Sequence, residues 1–227
     1  SLVVDASGAN GTLFREHKAL ENRSLRYRIV SVVLEAPCPN DVMAQRLGCD
    51  DNIDRSCYNT YLETGFIGYG WLFPKDGMMN AGLGTITGRG NGLKERFLTF
   101  LERTGFGDLD RTRITAFTIP TSMLSRLWLP RVLFIGDAGG FANALTGGGL
   151  GDGISSGEKA AITAQEAVEA DDFSGATLEA FERRCRGTRR YLNLRTVALY
   201  FLAGAVKRGL DRPFAVKMLL RNMVSVA

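Results

Sequence analysis

The chain has 227 residues, enough for one large domain or two small ones. Its 45% hydrophobic and 23% charged residues exclude a disordered composition and describe an ordinary globular one. The net charge of +4 is unevenly spread: between Glu182 and Ala227, eleven Lys or Arg stand against two acids, so that tail is near +9 and the remainder near −5. Such a tail favours an anionic membrane face or nucleic acid, or is simply a solvated helix surface.

Four cysteines, Cys38, Cys49, Cys57 and Cys185, show no C-x-x-C spacing, and the single His17 cannot complete a zinc set. They read as free thiols of a reducing, cytoplasmic compartment. The longest apolar run, Val197 to Val206, is too short to cross a bilayer, which takes about 18 residues.

In chain order, Leu2 to Val4 reads as a buried parallel strand, followed by a turn-rich loop from Asp5 to Gly11. A buried parallel strand as first element raises the expectation that its sheet neighbours lie upstream and that the chain is a fragment. Asp5 and Gly8 sit at that strand's carboxyl end, where open α/β sheets place ligands. Ser24 to Leu34 alternates as a strand, with Leu25, Tyr27 and Ile29 on one side. A short helix is expected from Asp41 to Leu47, capped by Asn40 or Asp41.

Gly70 to Pro74 and Met79 to Ile86 read as strands joined by Lys75-Asp76-Gly77, since Asp-Gly is a strong hairpin signal. Tyr69, Trp71 and Phe73 fall on one face of the first strand, and Gly82 and Gly84 share a face of the second. Glycine within a strand marks a close approach by a ligand or another backbone. The aromatic wall either lines a pocket for a flat ring or hydrocarbon chain, or fills the sheet's core.

Gly92 to Gly105 carries a helical stripe of Leu93, Phe97, Phe100 and Leu101, and Arg113 to Ile119 alternates as a strand. Leu124 to Pro130 is a connector. Val132 to Ile135 then forms a short apolar strand that ends in Gly136-Asp137. A Gly-rich loop, Gly147 to Gly151, feeds a helix over Asp152 to Ala170, where Gly153, Gly157 and Ala161 would make a smooth packing face. A second helix runs from about Gly175 past Gly187, and Arg189 to Arg208 and Pro213 to Val226 complete a basic helical end.

Strand, carboxylate, glycine loop and helix start are the parts that hold a phosphorylated cofactor. The helix N-terminus offers unpaired N–H groups and partial positive charge. The glycines admit ligand atoms without a Cβ in the way, and Asp137 accepts hydrogen bonds from hydroxyls. The G-x-G-x-x-G fingerprint occurs nowhere among the 227 residues, so a dinucleotide site is incomplete within them.

Val132-Leu-Phe-Ile-Gly-Asp-Ala-Gly-Gly-Phe-Ala-Asn-Ala-Leu-Thr-Gly-Gly-Gly-Leu150, followed by Ser156-Gly-Glu-Lys-Ala160, resembles the second FAD-binding motif of the geranylgeranyl reductase family, within the p-hydroxybenzoate hydroxylase fold. Tyr69-Gly-Trp-Leu-Phe-Pro-Lys75 with Ala81-Gly-Leu-Gly84 is similar to the segment that lines that family's substrate cavity. Leu2 to Gly8 resembles the strand and loop that close its FAD domain. Ala144 stands where the family commonly has Pro, and Gly148 where it often has Glu. Gly139-Gly140 departs from the pattern of the aromatic hydroxylases.

The resemblance implies an α+β, partly α/β fold. It comprises an incomplete Rossmann-like FAD-binding domain, an inserted antiparallel-sheet substrate domain and a helical C-terminal region, with boundaries 1–20, 21–128, 129–172 and 173–227. The cofactor would be FAD, bound through Asp5, Gly8, Gly136, Asp137, Ala138, Gly147, Gly148, Gly149 and Leu150. Tyr69, Trp71, Phe73, Pro74, Gly82 and Gly84 would meet an isoprenoid substrate reduced by hydride from the flavin. Alternatives are an electron-transfer flavoprotein that passes electrons to quinone, or a catalytically silent fragment. No catalytic acid or metal is nominated. Peripheral membrane contact through the basic end is expected, and no nucleic-acid partner.

Overall fold

The computed structural model describes residues 1–9, 28–49, 59–62, 68–86 and 91–207. Expectations for His17, for Leu25 and Tyr27, and for a helix over 213–226 lie outside them. Two compact units are present, Ile29–Thr118, and Ser1–Arg28 together with Ile119–Ala227.

The first of these units is built on a five-stranded sheet. Its strands are β2 (Arg28–Pro37), β3 (Asn59–Leu62), β4 (Gly68–Lys75), β5 (Met78–Ile86) and β6 (Thr115–Pro120), in the order β3-β4-β5-β2-β6. The β4–β5 hairpin turns at Asp76-Gly77, where Gly77 has a φ of 65°. Helix α1 (Asn40–Leu47) begins after Pro39, not on a side-chain cap. Asn40, expected as a cap, instead pins the hairpin. Its amide donates to Asp76 at 2.9 Å, and its Oδ1 accepts from the Gly77 N–H at 2.8 Å.

Strand alternation divides the sheet into two faces. Val32, Leu34, Leu72, Ala81 and Leu83 turn inward and close with Phe97, Phe100 and Leu101 of α2 (Leu93–Arg103) into one core. Gly70 lies on this face because a Cβ there would stand 2.7 Å from the Phe100 ring.

The other unit holds β1 (Val3–Asp5), β7 (Trp128–Leu129) and β8 (Val132–Phe134), in the order β1-β8-β7. Strand β1 runs parallel to β8, with Asp5 opposite Phe134. It is not the buried strand expected from its sequence, since Val3 and Val4 are 50% and 42% exposed and only Asp5 is buried. Strand β7, read as part of a connector, pairs antiparallel with β8.

Four helices follow: α3 (Gly136–Gly139), α4 (Leu150–Glu169), α5 (Gly175–Arg184) and α6 (Arg186–Lys207). Leu127, Leu133, Phe134, Phe141, Leu178 and Phe181 form the core of this unit. The buried face of α4 is Ser156, Ala160, Thr163 and Ala167. Of the smooth face read from sequence, Gly153 and Gly157 lie beside Gly136 and Ile135, while Ala161 is exposed. The break between α5 and α6 falls at Cys185, two residues before the expected Gly187.

Cys38 and Cys185 are buried free thiols, and burial pushes Cys185 up to about 11. Cys49 is disulfide-bonded, so the reading of it as a free thiol is corrected and the cysteine argument for a reducing compartment is weakened. Among the described residues no helix is long and apolar enough to cross a membrane.

Candidate functional site

The parallel strands β1 and β8 end side by side, β1 in Asp5 and β8 in the segment that leads to Asp137. Pairing continues past the strands, with the Ile135 N–H donating to the Asp5 carbonyl at 3.0 Å. Asp5 therefore stands beside the segment that turns at Gly136 into Asp137. Asp5 is only 5% exposed. Its Oδ1 accepts from the Ser7 N–H at 2.9 Å and from the Ser7 hydroxyl. Its Oδ2 is buried with no hydrogen-bond partner among the described residues. A buried carboxylate oxygen left unpaired is costly, so this atom is an acceptor that no described residue satisfies. Gly8, three residues on, has a φ of 78° and open space where a Cβ would be.

Gly136 takes a φ of 52° and donates its N–H to Ser156 Oγ at 3.0 Å. The same hydroxyl donates to the Gly153 carbonyl at 2.6 Å, so Ser156 ties the tip of β8 to the first turn of α4. Asp137 is half-buried, and burial raises its carboxyl above the usual carboxylate range. A Cβ on Gly149 would lie 3.2 Å from Asp137 Oδ1, which places the carboxylate against bare backbone at the start of α4. That helix has no side-chain cap at Gly149, and its first-turn N–H groups have no side-chain acceptor there. Asp152 sits in that turn, with its carboxyl also raised by burial and partly lowered by Lys159.

The glycine loop is organised by Asn143, which sequence reasoning missed. The Asn143 N–H donates to the Gly148 carbonyl and its own carbonyl accepts from Gly147, both at 2.8 Å. Asn143 Oδ1 accepts from the Leu145 N–H at 3.0 Å. This is an Asx turn, in which an Asn that opens the turn accepts from the N–H two residues on. Gly147 has a φ of 66°, Gly148 is exposed, and Leu150 is 80% exposed. Ala138 is fully buried, so only its backbone is open to a ligand role.

The substrate candidates lie together on the β4–β5 hairpin. Tyr69, Trp71 and Phe73 form a row, with ring centroids 5.7 Å and 6.2 Å apart. The row is on the face opposite Leu72 and the α2 phenylalanines, so the aromatics do not fill that core. Pro74 shares the alternation of Leu72 and belongs to the other face. Trp71 Nε1 donates to Asn80 Oδ1 at 2.9 Å, which fixes the indole. The close approach foretold by Gly82 is made by Trp71 itself, and Gly84 lies 3.6–3.8 Å from Ile29, Trp71 and Ser31 at its Cβ position. Burial pushes the Tyr69 phenol up to about 12, so it stays protonated. Among the described residues no cluster of His, Cys, Asp or Glu could hold a metal.

No family model matches the chain. It is similar to curated proteins named digeranylgeranylglycerophospholipid reductase. That of Methanosphaerula palustris is 30% identical over 185 residues, covering 78% of this chain and 42% of the relative. That of Methanosarcina mazei is 27% identical over 196 residues, covering 83% and 45%. Reductase 1 of Methanococcoides burtonii is 29% identical over 157 residues, covering 67% and 38%. The chain thus spans about two fifths of the length of the curated relatives it matches.

Among solved structures, a geranylgeranyl bacteriochlorophyll reductase-like protein from Thermoplasma acidophilum superposes with a TM-score of 0.66 at 21% identity, covering 97% of this chain and 57% of that one. A probable FAD-dependent monooxygenase, PqsL from Pseudomonas aeruginosa, does so with a TM-score of 0.61 at 16% identity, covering 97% and 59%. At these identities the likeness establishes the fold alone, which this chain shares with both proteins.

Proposed function

We propose that this chain, whose curated homologues are the digeranylgeranylglycerophospholipid reductases, carries the second half of a FAD site and the substrate-facing sheet of an enzyme that saturates isoprenoid double bonds. The observation that supports the reading is the placing of Asp5 at the carboxyl end of one parallel strand and of Asp137 just beyond the end of its neighbour, against an uncapped, glycine-lined helix start.

These residues suit a flavin dinucleotide. Asp5 Oδ2 has no donor among the described residues, and a hydroxylated chain would supply one. Asp137, whose carboxyl burial raises above the usual carboxylate range, would regain lost hydrogen bonds by accepting from ribityl or ribose hydroxyls. The bare backbone from Gly147 to Gly149 and the N-terminus of α4 admit and attract an electron-rich ring edge or phosphate.

When bound and reduced, FAD would supply a hydride to one carbon of the double bond, with a proton from water reaching the other. The protein's part is orientation and exclusion of water. The Tyr69, Trp71 and Phe73 row, its rings tilted to one another, offers an aromatic surface to a prenyl chain, and the Trp71–Asn80 hydrogen bond holds the central indole. The phenol of Tyr69, protonated across the working pH range, adds no charge to that surface.

Since G-x-G-x-x-G is absent from the 227 residues, the chain alone is read as a weak flavin binder and catalytically silent. The test is product analysis on a protein that joins this chain to a G-x-G-x-x-G unit. Supplied with a chemical reductant for the flavin and a geranylgeranyl lipid, it should yield lipid heavier by two hydrogens for each bond saturated. Turnover of quinone with no change in lipid mass would replace the reading with an electron-transfer one.

A further inference from the structure

We propose that the outer face of α6 is a docking site for anionic phospholipid at a membrane surface, a role that goes beyond reduction and needs no flavin. Helix α6 spans 22 residues, and contains five basic residues and no acid. Its inner face is fixed to its own unit by Leu192, 1% exposed, and Thr196, fully buried. The Thr196 hydroxyl donates to the carbonyls of Thr121 and Leu192. On the opposite side Arg190, Leu194, Val197 and Phe201 are exposed.

Arg186, Arg189, Arg190, Asn193, Leu194 and Val197 line one shallow depression of about 370 Å³. Their spacing of three and four residues puts all six on one side of the helix. Phe201, 76% exposed, continues the row, after Leu194 at 63% and Val197 at 47%.

The arginines are not equivalent. Arg189 is engaged, donating to the Leu124 carbonyl at 2.9 Å and lying 3.0 Å from Glu182. Arg186 and Arg190 are exposed and have no ion-pair partner among the described residues. The face therefore changes character along its length, with two guanidinium groups that no described residue pairs at one end and exposed apolar side chains at the other.

That order matches an anionic lipid at an interface, where phosphate meets arginine and the apolar residues enter the acyl boundary. A protein partner would have to answer both the excess positive charge and the exposed Phe201. A bilayer of anionic lipid answers both at once. No helix among the described residues is able to span the bilayer, so the contact is with its surface.

The test is co-sedimentation of the 227-residue chain with phosphatidylglycerol vesicles and with phosphatidylcholine vesicles. Binding should be at least tenfold stronger to phosphatidylglycerol and should weaken as salt is raised. Arg186→Gln with Arg190→Gln should lower it about twenty-five-fold, at roughly fivefold for each charge near the surface. Leu194→Ser with Phe201→Ser should weaken it at low and high salt alike. All four positions are exposed, so the melting temperature should stay that of the parent. Should a variant unfold, the salt titration of the parent chain still decides. Equal binding to both vesicles, binding indifferent to salt, undiminished binding by the folded arginine variant, or no binding at all overturns the proposal. None of these outcomes touches the reductase reading, which rests on flavin and product.

Discussion

The benzenoid ring of Trp71 occupies the space where a Cβ on Gly82 would stand, across a register that pairs the two residues directly. Gly84, two residues on, offers ordinary contact distances of 3.6–3.8 Å at the same position. The two glycines should therefore respond differently to one added methyl group. Gly82→Ala forces the indole off its seat and off Asn80, at a cost of about 1–3 kcal/mol. Gly84→Ala should be neutral or slightly stabilising, within about 1 kcal/mol, because it removes a flexible residue from a strand without a clash. Urea denaturation of the two variants measures the difference. Equal effects would mean that Trp71 is not held against Gly82.

Asn143 is 7% exposed and serves Leu145, Gly147 and Gly148 together. Asn143→Ala keeps the backbone bonds available but leaves the Leu145 N–H without its buried acceptor. The expected loss is about 1–3 kcal/mol, with proteolysis rising first within the loop around Gly147. Thermal melting and limited digestion report the two effects separately. A variant as stable and as resistant as the parent would remove Asn143 from the organisation of the loop.

Asp137 gives a pH-dependent prediction. Burial raises its folded-state carboxyl above the unfolded value, so the folded state holds the proton more tightly. Stability contributed by this group is greatest at acid pH and declines as pH rises through the ordinary carboxylate range into its raised value. Asp137→Asn removes the ionised form. The variant should be more stable than the parent at neutral pH, and the gap should close below about pH 4. Melting curves across that range check the sign. A parent more stable than the variant at neutral pH would mean the carboxylate is stabilised in the fold.

Much of this was legible in residue order, and the limits have physical causes. The hairpin at Asp76-Gly77 and the amphipathic α2 are short-range patterns, and they form where the sequence places them. The turn at Gly136-Asp137 and the glycine loop are equally local. Misreadings arose where the third dimension decides. Val3 and Val4 are apolar as a buried strand would be, yet both are exposed, because composition does not say what packs on a strand. Asn40 looks like a helix cap, but the hairpin turn that its side chain serves lies 36 residues away. Gly82 signals a close approach without saying by what, and the neighbour is the chain's own Trp71. The disulfide at Cys49 left no recognisable spacing.

Gly140 supplies a control on the cofactor half. It has a φ of 76°, and a Cβ there would collide with the backbone of Ser122 and stand 2.7 Å from Met123 Cα. Gly140→Ala should cost about 3 kcal/mol or more, since backbone cannot move aside as a side chain does. Gly148→Ala, with only the Thr146 hydroxyl at 3.3 Å, should fold normally. Chemical denaturation of the two separates a structural glycine from one left open to a ligand. If Gly140→Ala is tolerated, the turn after Asp137 is not packed as described.

The central claim is that Asp137 and its glycine loop form the second half of a FAD site. The most direct measurement is flavin content in a chimaera, made by replacing the matching residues of the Methanosphaerula palustris reductase with those of this chain. The account predicts a folded, yellow protein with about one FAD per chain, and a loss of affinity of about tenfold or more on Asp137→Ala. A folded chimaera without flavin, or an Asp137→Ala variant that retains FAD as well as its parent, would contradict it.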